Sequence, residues 1–185
     1  MFSSIDDVIR HYEEVHSKLE DEINFLPNTG YTISQIQNLQ STLKIDLHPS
    51  FIKILKKVNL DTVTFRGGVW FSSGNDYLQS IVEMNEHSDR ITEIWVASCE
   101  FHVLRLDNST GKIYAERVVH TALHSMELIA NSFEDFLVIL ASISSSVWPI
   151  WVDRDKALRD SAQFLNVNNI QLGREFWSEV ILNAA

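Results

Sequence analysis

Ile129-Ala130-Asn131-Ser132-Phe133-Glu134-Asp135-Phe136-Leu137 decides the architecture, because it marks where a β-rich passage from residue 91 to 119 gives way to helix. Ser132 carries a hydroxyl suited to cap a helix N-terminus, and Asp135 three positions on completes a capping-box pattern. Phe133, Phe136, Leu137 and Leu140 then fall at i, i+3, i+4 and i+7, the spacing of one buried helical face. The helix so started runs to about Val147, and Pro149 interrupts it.

Upstream, residues 91–97, 100–106 and 112–119 read as strands, and Asp107-Asn108-Ser109-Thr110-Gly111 supplies turn chemistry between the last two. An antiparallel meander is the simplest arrangement. Val63 and Phe65, then Val69, Trp70 and Phe71, flank Gly67-Gly68, whose freedom at positive φ suits a two-residue hairpin or a bulge. The polar connection from Gly74 to Arg90 includes a weakly periodic helix around residues 77–85. Nearer the N-terminus, Ile5, Val8, Ile9, Tyr12, Leu19 and Ile23 predict a helix over 5–24, with Asp6 and Asp7 in its first turn. After a turn at Pro27-Asn28-Thr29-Gly30, Thr32 and Gln35 form a second capping box ahead of Ile33, Ile36, Leu39 and Leu43. Pro49 opens a third helix, with Phe51, Ile52, Leu55 and Val58 as its buried stripe. Short helices over 153–165 and 172–182 close the chain. The expected fold is α+β: N-terminal helices, a central antiparallel sheet of about four to six strands, a closing helix and a C-terminal helical extension. Residues 1–147 form the domain and 148–185 the extension packed on it, as a lid or as an interface.

At 185 residues the chain suits one domain with an extension and buries a substantial core without staples. Its 45% hydrophobic and 22% charged fractions lie far from the disordered regime. A net charge of -10 argues against nucleic-acid backbones and anionic membranes, which require clustered Lys and Arg, and favours a basic protein partner. The single Cys99 excludes an internal disulfide and any multi-cysteine metal site, which fits a reducing cytosol. Asp6 and Asp7 stand where a secretion signal would be basic, and no apolar run approaches the roughly 18 residues that span a bilayer. The expected location is the cytoplasm.

The order of elements, with Leu47-His48-Pro49-Ser50-Phe51, Val58-Asn59-Leu60, Phe101-His102-Val103-Leu104-Arg105-Leu106-Asp107, Thr110-Gly111-Lys112-Ile113-Tyr114 and the opening stretch, resembles the SUKH superfamily over roughly residues 30–141. His48 and Leu60 depart from its pattern, and Ser98-Cys99 replaces the usual glycine pair before the central strand. The resemblance implies an α+β scaffold. It also implies a role, since many bacterial members look like immunity proteins that bind toxin domains, often nucleases, while others act as interaction modules.

No residue pattern points to chemistry. His120 and His124 have metal-ligand spacing on a helix but lack a third ligand, and Thr121 stands where a zinc protease places its Glu. Cys99 and His102, read as i and i+3 of one strand, face opposite ways and do not pair as nucleophile and base. Asp153 next to Asp155 reads as a helix cap, and no phosphate loop occurs. The expectation is a non-catalytic binder without cofactor or metal. Trp70 and Trp151 are the candidate anchors of its binding face, because Trp is enriched at interface hot spots. Asp76, Glu83, Glu86, Asp89, Glu93 and Glu100, with only Arg90 as counterweight, are the candidate acidic surface. The expected partner is a cognate toxin of basic character, with a cytoplasmic regulatory partner as the alternative; monomer and homodimer both remain open.

Overall fold

The computed structural model describes residues 1–16, 26–27, 30–61, 63–65, 67–72, 76–86, 88, 92–118, 125–146, 159 and 163–184. It is an α+β fold in which helices cover one face of an antiparallel sheet. Helix α1 (Ile5–His16) opens with Asp6 and Asp7 against its N-terminal dipole and buries Ile5, Val8, Ile9 and Tyr12. The backbone N–H of Phe2 donates to Ser142 Oγ, which ties the chain start to a distant helix. The short strand β1 (Leu26–Pro27) pairs with β2 (Val58–Asn59). Between them, α2 (Ile33–Leu43) has the capping box expected from Thr32 and Gln35, and Lys44 ends it at φ 56.

Helix α3 (Pro49–Leu55) begins after His48, whose ring Nδ1 accepts from Ser50 N at 3.3 Å. Thus His48 supplies the N-cap. The expected stripe of this helix needs correction: Phe51, Ile54 and Leu55 are buried and Ile52 is half-buried. Val58 is buried too, but as part of β2, because the helix stops at Leu55.

Strands β3 (Thr64–Phe65) and β4 (Val69–Trp70) make the expected hairpin at the glycines. Phe65 faces Val69, so the turn is longer than the glycine pair. Gly67 and Gly68 take φ +103 and +71, and a Cβ on Gly67 would stand 2.6 Å from Val180. Helix α4 (Tyr77–Asn85) is capped by Asp76, whose side chain accepts from Gln79 N.

The meander consists of β5 (Glu93–Cys99), β6 (His102–Asp107) and β7 (Ile113–Arg117), and it continues into β8 (Met126–Ala130). Two expectations change here. Ser98 and Cys99 belong to β5, and Glu100-Phe101 makes the turn, with Glu100 at φ 37. Ile129 and Ala130 end β8, a strand additional to the three expected in the meander. The sheet order is β3-β4-β5-β6-β7-β8, antiparallel throughout.

Helix α5 (Phe133–Ser146) starts as read, with Ser132 Oγ accepting from Asp135 N at 3.0 Å. Helix α6 (Arg174–Ala184) is the helix expected over 172–182, shifted by two residues, and it buries Phe176, Trp177, Val180 and Ile181. Trp177 is fully buried, and its indole N–H donates to Ile129 O at 3.1 Å. The expected helix over 153–165 lies largely outside the described residues; of its span, 163–165 begin a helical stretch over 163–167.

The 107–111 turn is a docking device as well as a connection. The Asp107 carboxylate accepts from Ser109 N and from the hydroxyls of Ser109 and Thr110. Asn108 accepts from His48 N at 2.6 Å and donates to Asp46 O. Gly111, at φ +74, lies so close that an added Cβ would meet the His48 ring at 2.6 Å. The two features that stood apart in sequence, His48 and Thr110-Gly111, therefore explain one another. Gly111→Ala is expected to cost about 2 kcal/mol from the left-handed backbone and the clash, read as a lower urea midpoint at unchanged m-value.

Candidate functional site

Direct pairing fixes one row of side chains across five strands: Trp70 faces Ser98, Ser98 faces Val103, Val103 faces Glu116 and Glu116 faces Met126. Residues directly opposite in antiparallel pairs share a face of the sheet. The same face carries Trp95, Arg105, Tyr114 and Leu128 in the next row. The helices α5 and α6 lie against the other face, where Leu104, Ile113 and Ala115 are fully buried.

Within the first row, Val103 and Glu116 are buried, while Trp70 is 49% and Met126 40% exposed at its two ends. One step further toward the β5–β6 turn stand Phe101, 60% exposed, and Val118, 53% exposed, joined by Val118 N donating to Phe101 O at 2.6 Å. Four exposed large apolar side chains thus lie along the β5–β6-turn end of the sheet, with Trp70 and Met126 four strand spacings, about 19 Å, apart. Singly exposed apolar residues need no explanation; their shared position at one end of consecutive strands makes these four the candidate surface. Glu100 sits among them, near Gly68, in a left-handed conformation that costs a non-glycine residue about 1 kcal/mol. Strain of this kind concentrates at functional positions.

The row is crossed by an ion pair. Arg105 Nε donates to Glu116 Oε2, and both side chains are nearly removed from water, at 13% and 4% exposure. Removing one partner would strand a charge in the sheet.

The acidic candidates separate into groups. Asp76, Glu83 and Glu86 lie at positions i, i+7 and i+10 on the exposed side of α4, where Glu83 accepts from Gln79. Asp76 has a structural task as well, since it caps that helix. Glu93 is half-buried at the start of β5 and faces Asp107. Glu100 is at the opposite end of β5, about 20 Å away by strand rise. Asp89 and Trp151 lie outside the described residues, as do His120, His124, Asp153 and Asp155. The structure therefore joins Trp70 and Glu100 at one sheet end and places the α4 acids elsewhere.

Phe101, Val118 and Met126 were not singled out from sequence. Val118 and Met126 belong to one face only once the β7–β8 register is known, and Phe101 becomes a turn residue only once Glu100 is removed from the strand.

Cys99 and His102 require a correction. They are cross-strand partners on β5 and β6, so they share a face instead of opposing each other. The thiol is 2% exposed, donates to Gly67 O at 3.6 Å and is pushed up to about 12 by burial, with Glu100 and Glu179 adding to the effect. It is protonated near neutrality and is a poor nucleophile. His102 lies 3.7 Å from Glu179 and packs edge-on against Phe176. Burial lowers its pKa below the usual 6.5, against the opposing pull of Glu179. Among the described residues no three His, Cys, Asp or Glu converge as a metal site, and no helix is long and apolar enough to cross a membrane.

Compared with family models and with curated proteins, the chain finds no match in either.

Two outcomes follow from this geometry. His102 binds a proton less readily folded than unfolded, so its contribution to stability is present above pH 6.5 and is lost as pH falls through the range just below. Urea titrations from pH 7 to about 5 should show that decline, and His102→Gln should flatten it. Relieving the turn with Glu100→Gly should raise stability by about 0.5–1 kcal/mol, read as a higher Tm.

Proposed function

We propose that this chain is a non-catalytic protein-binding domain that neutralises a cognate basic toxin by occluding it, in the manner of a SUKH-type immunity protein. The observation that carries this reading is the exposure of Trp70, Phe101, Val118 and Met126 along one end of the sheet, with Glu100 at the β5–β6 turn, on a chain with net charge -10. Exposed Trp and Phe beside carboxylates form the pattern of an interface anchor with a polar rim. The acidic stripe on α4 adds a field that speeds encounter with a positively charged partner. The family resemblance supplies the toxin class, and a nuclease fits because its phosphate-binding site is basic. Action in the cytoplasm belongs to the same proposal.

The test is co-expression with a toxin encoded beside this chain. The expected result is survival, with Trp70→Ala weakening binding about tenfold or more and added salt slowing association. Survival no better than with an empty vector would overturn the reading.

A further inference from the structure

We infer that the open edge of β8 at Met126–Leu128 is a strand-addition site for an extended segment of the partner protein in which apolar and basic residues alternate. The inference rests on the binding-protein reading above and names the chemistry of the segment that makes contact.

The hydrogen-bond phase of the sheet defines the edge. Arg117 N donates to Ser125 O at 3.2 Å, so Arg117 and Ser125 form a bonded pair, and by antiparallel alternation Ala115 and Glu127 form the next. Val118 N bonding to Phe101 O gives the same phase from the other side of β7. Consequently the N–H and C=O groups of Glu127 point into the sheet, and those of Met126 and Leu128 point outward. β8 is the last strand of the sheet order, and no bond to these outward groups occurs among the described residues. The neighbouring part of the strand is closed. Trp177 donates to Ile129 O, and a Cβ on Gly173 would meet Ile129 at 2.6 Å.

Proteins usually blunt an open edge with Lys, Pro or an inward charge. Residues 126–128 contain neither Lys nor Pro; their one inward charge, Glu127, accepts from Phe176 N at 3.3 Å and is held against α6, and Met126 is exposed. An added strand would place its residues opposite Met126 and Leu128 on the outer face, where apolar side chains fit. The residue opposite Glu127 would share the α6 side. There Glu127, Glu175 and Glu179 outnumber Arg117, which already contacts the last two at 3.6 and 3.7 Å. A basic side chain fits that position. A second copy of this chain fits poorly, because its own Glu127 would add a fourth carboxylate.

The probe is an acetylated Val-Lys-Val-Lys-Val peptide, followed by amide hydrogen exchange on the unaltered chain. The expected result is roughly tenfold slower exchange at Met126 and Leu128, little change at Glu127, and no response to the same peptide N-methylated at its valines. Unchanged exchange at millimolar peptide, an equal response to the methylated peptide, or an equal response to Val-Glu-Val-Glu-Val would overturn the inference. Protection of the same amides that grows with protein concentration alone would assign the edge to a second copy and also overturn it. In the survival assay, Leu128→Pro removes an outward donor without breaking the β7 ladder and should abolish rescue at unchanged circular dichroism. Full rescue by that variant refutes the edge and leaves the binding reading intact. Loss of rescue by the parent chain refutes the toxin reading, and the peptide experiment then decides the edge.

Discussion

Phe71 is the residue on which the architecture turns. Its ring packs edge-on against Phe65, Tyr77 and Phe133 at 6.0, 5.9 and 6.4 Å and meets Phe136 at 6.3 Å. Through those neighbours the contacts continue to Phe51 in α3, Tyr12 in α1 and Trp177 in α6. One fully buried side chain therefore links β3, α4 and α5 directly and α1, α3 and α6 at one remove. Edge-to-face pairs fix ring orientation as well as burying area, so this cluster specifies how the helices sit on the sheet, beyond merely attracting them. The polar companion of the cluster is Asp61, which accepts from Tyr31 OH at 2.6 Å and from Tyr77 N at 2.9 Å. It holds the loop residue Tyr31 and the first residue of α4, and burial raises the Tyr31 hydroxyl pKa further above its ordinary range, so it remains a donor.

Features written within a few consecutive residues were legible in the sequence. The Thr32 and Gln35 box, the Ser132 cap and the Asp107 turn each depend on a side chain reaching backbone two or three positions away. Features set by register were not. β8 escaped notice because the sheet is irregular there: Ile113 faces Ala130 while Tyr114 faces Leu128, which leaves Ile129 as an extra residue. Ile129 and Ala130 are then both buried, and the period-two signal of a strand disappears. The same irregularity at Val96 buries it together with Ala97. Val58 is ambiguous for a different reason, because one apolar residue after a helix satisfies a continued stripe and a new strand equally.

The candidate site was half legible for the same reason. Trp70 stands out by residue type and Glu100 by charge. Their neighbours Phe101, Val118 and Met126 are ordinary apolar residues whose exposure depends on where turns fall and which strands pair. Moving the β5–β6 turn from residues 98–99 to 100–101 transfers Cys99 into the dry face and puts Phe101 at the tip. The shift also places a glutamate where glycine would be unstrained. A substitution that folding alone would not favour, at the centre of an exposed apolar end, is difficult to attribute to scaffold requirements.

Helix α6 connects the core to that surface. Its inner side carries Phe176 and Trp177 into the aromatic cluster, and its opposite flank sends Glu175 and Glu179 toward Arg117 and His102. Docking of the helix therefore does two things by one geometry. It caps the Ile129 end of β8 through the Trp177 indole, which limits the open edge to the neighbouring residues. It also occupies the guanidinium that would otherwise repel a basic strand, and leaves surplus carboxylate beside the edge. A protein that merely needed a closed sheet would gain more from covering the whole strand. Among the described residues α6 covers part of the strand and charges the remainder, which is the arrangement the strand-addition inference requires.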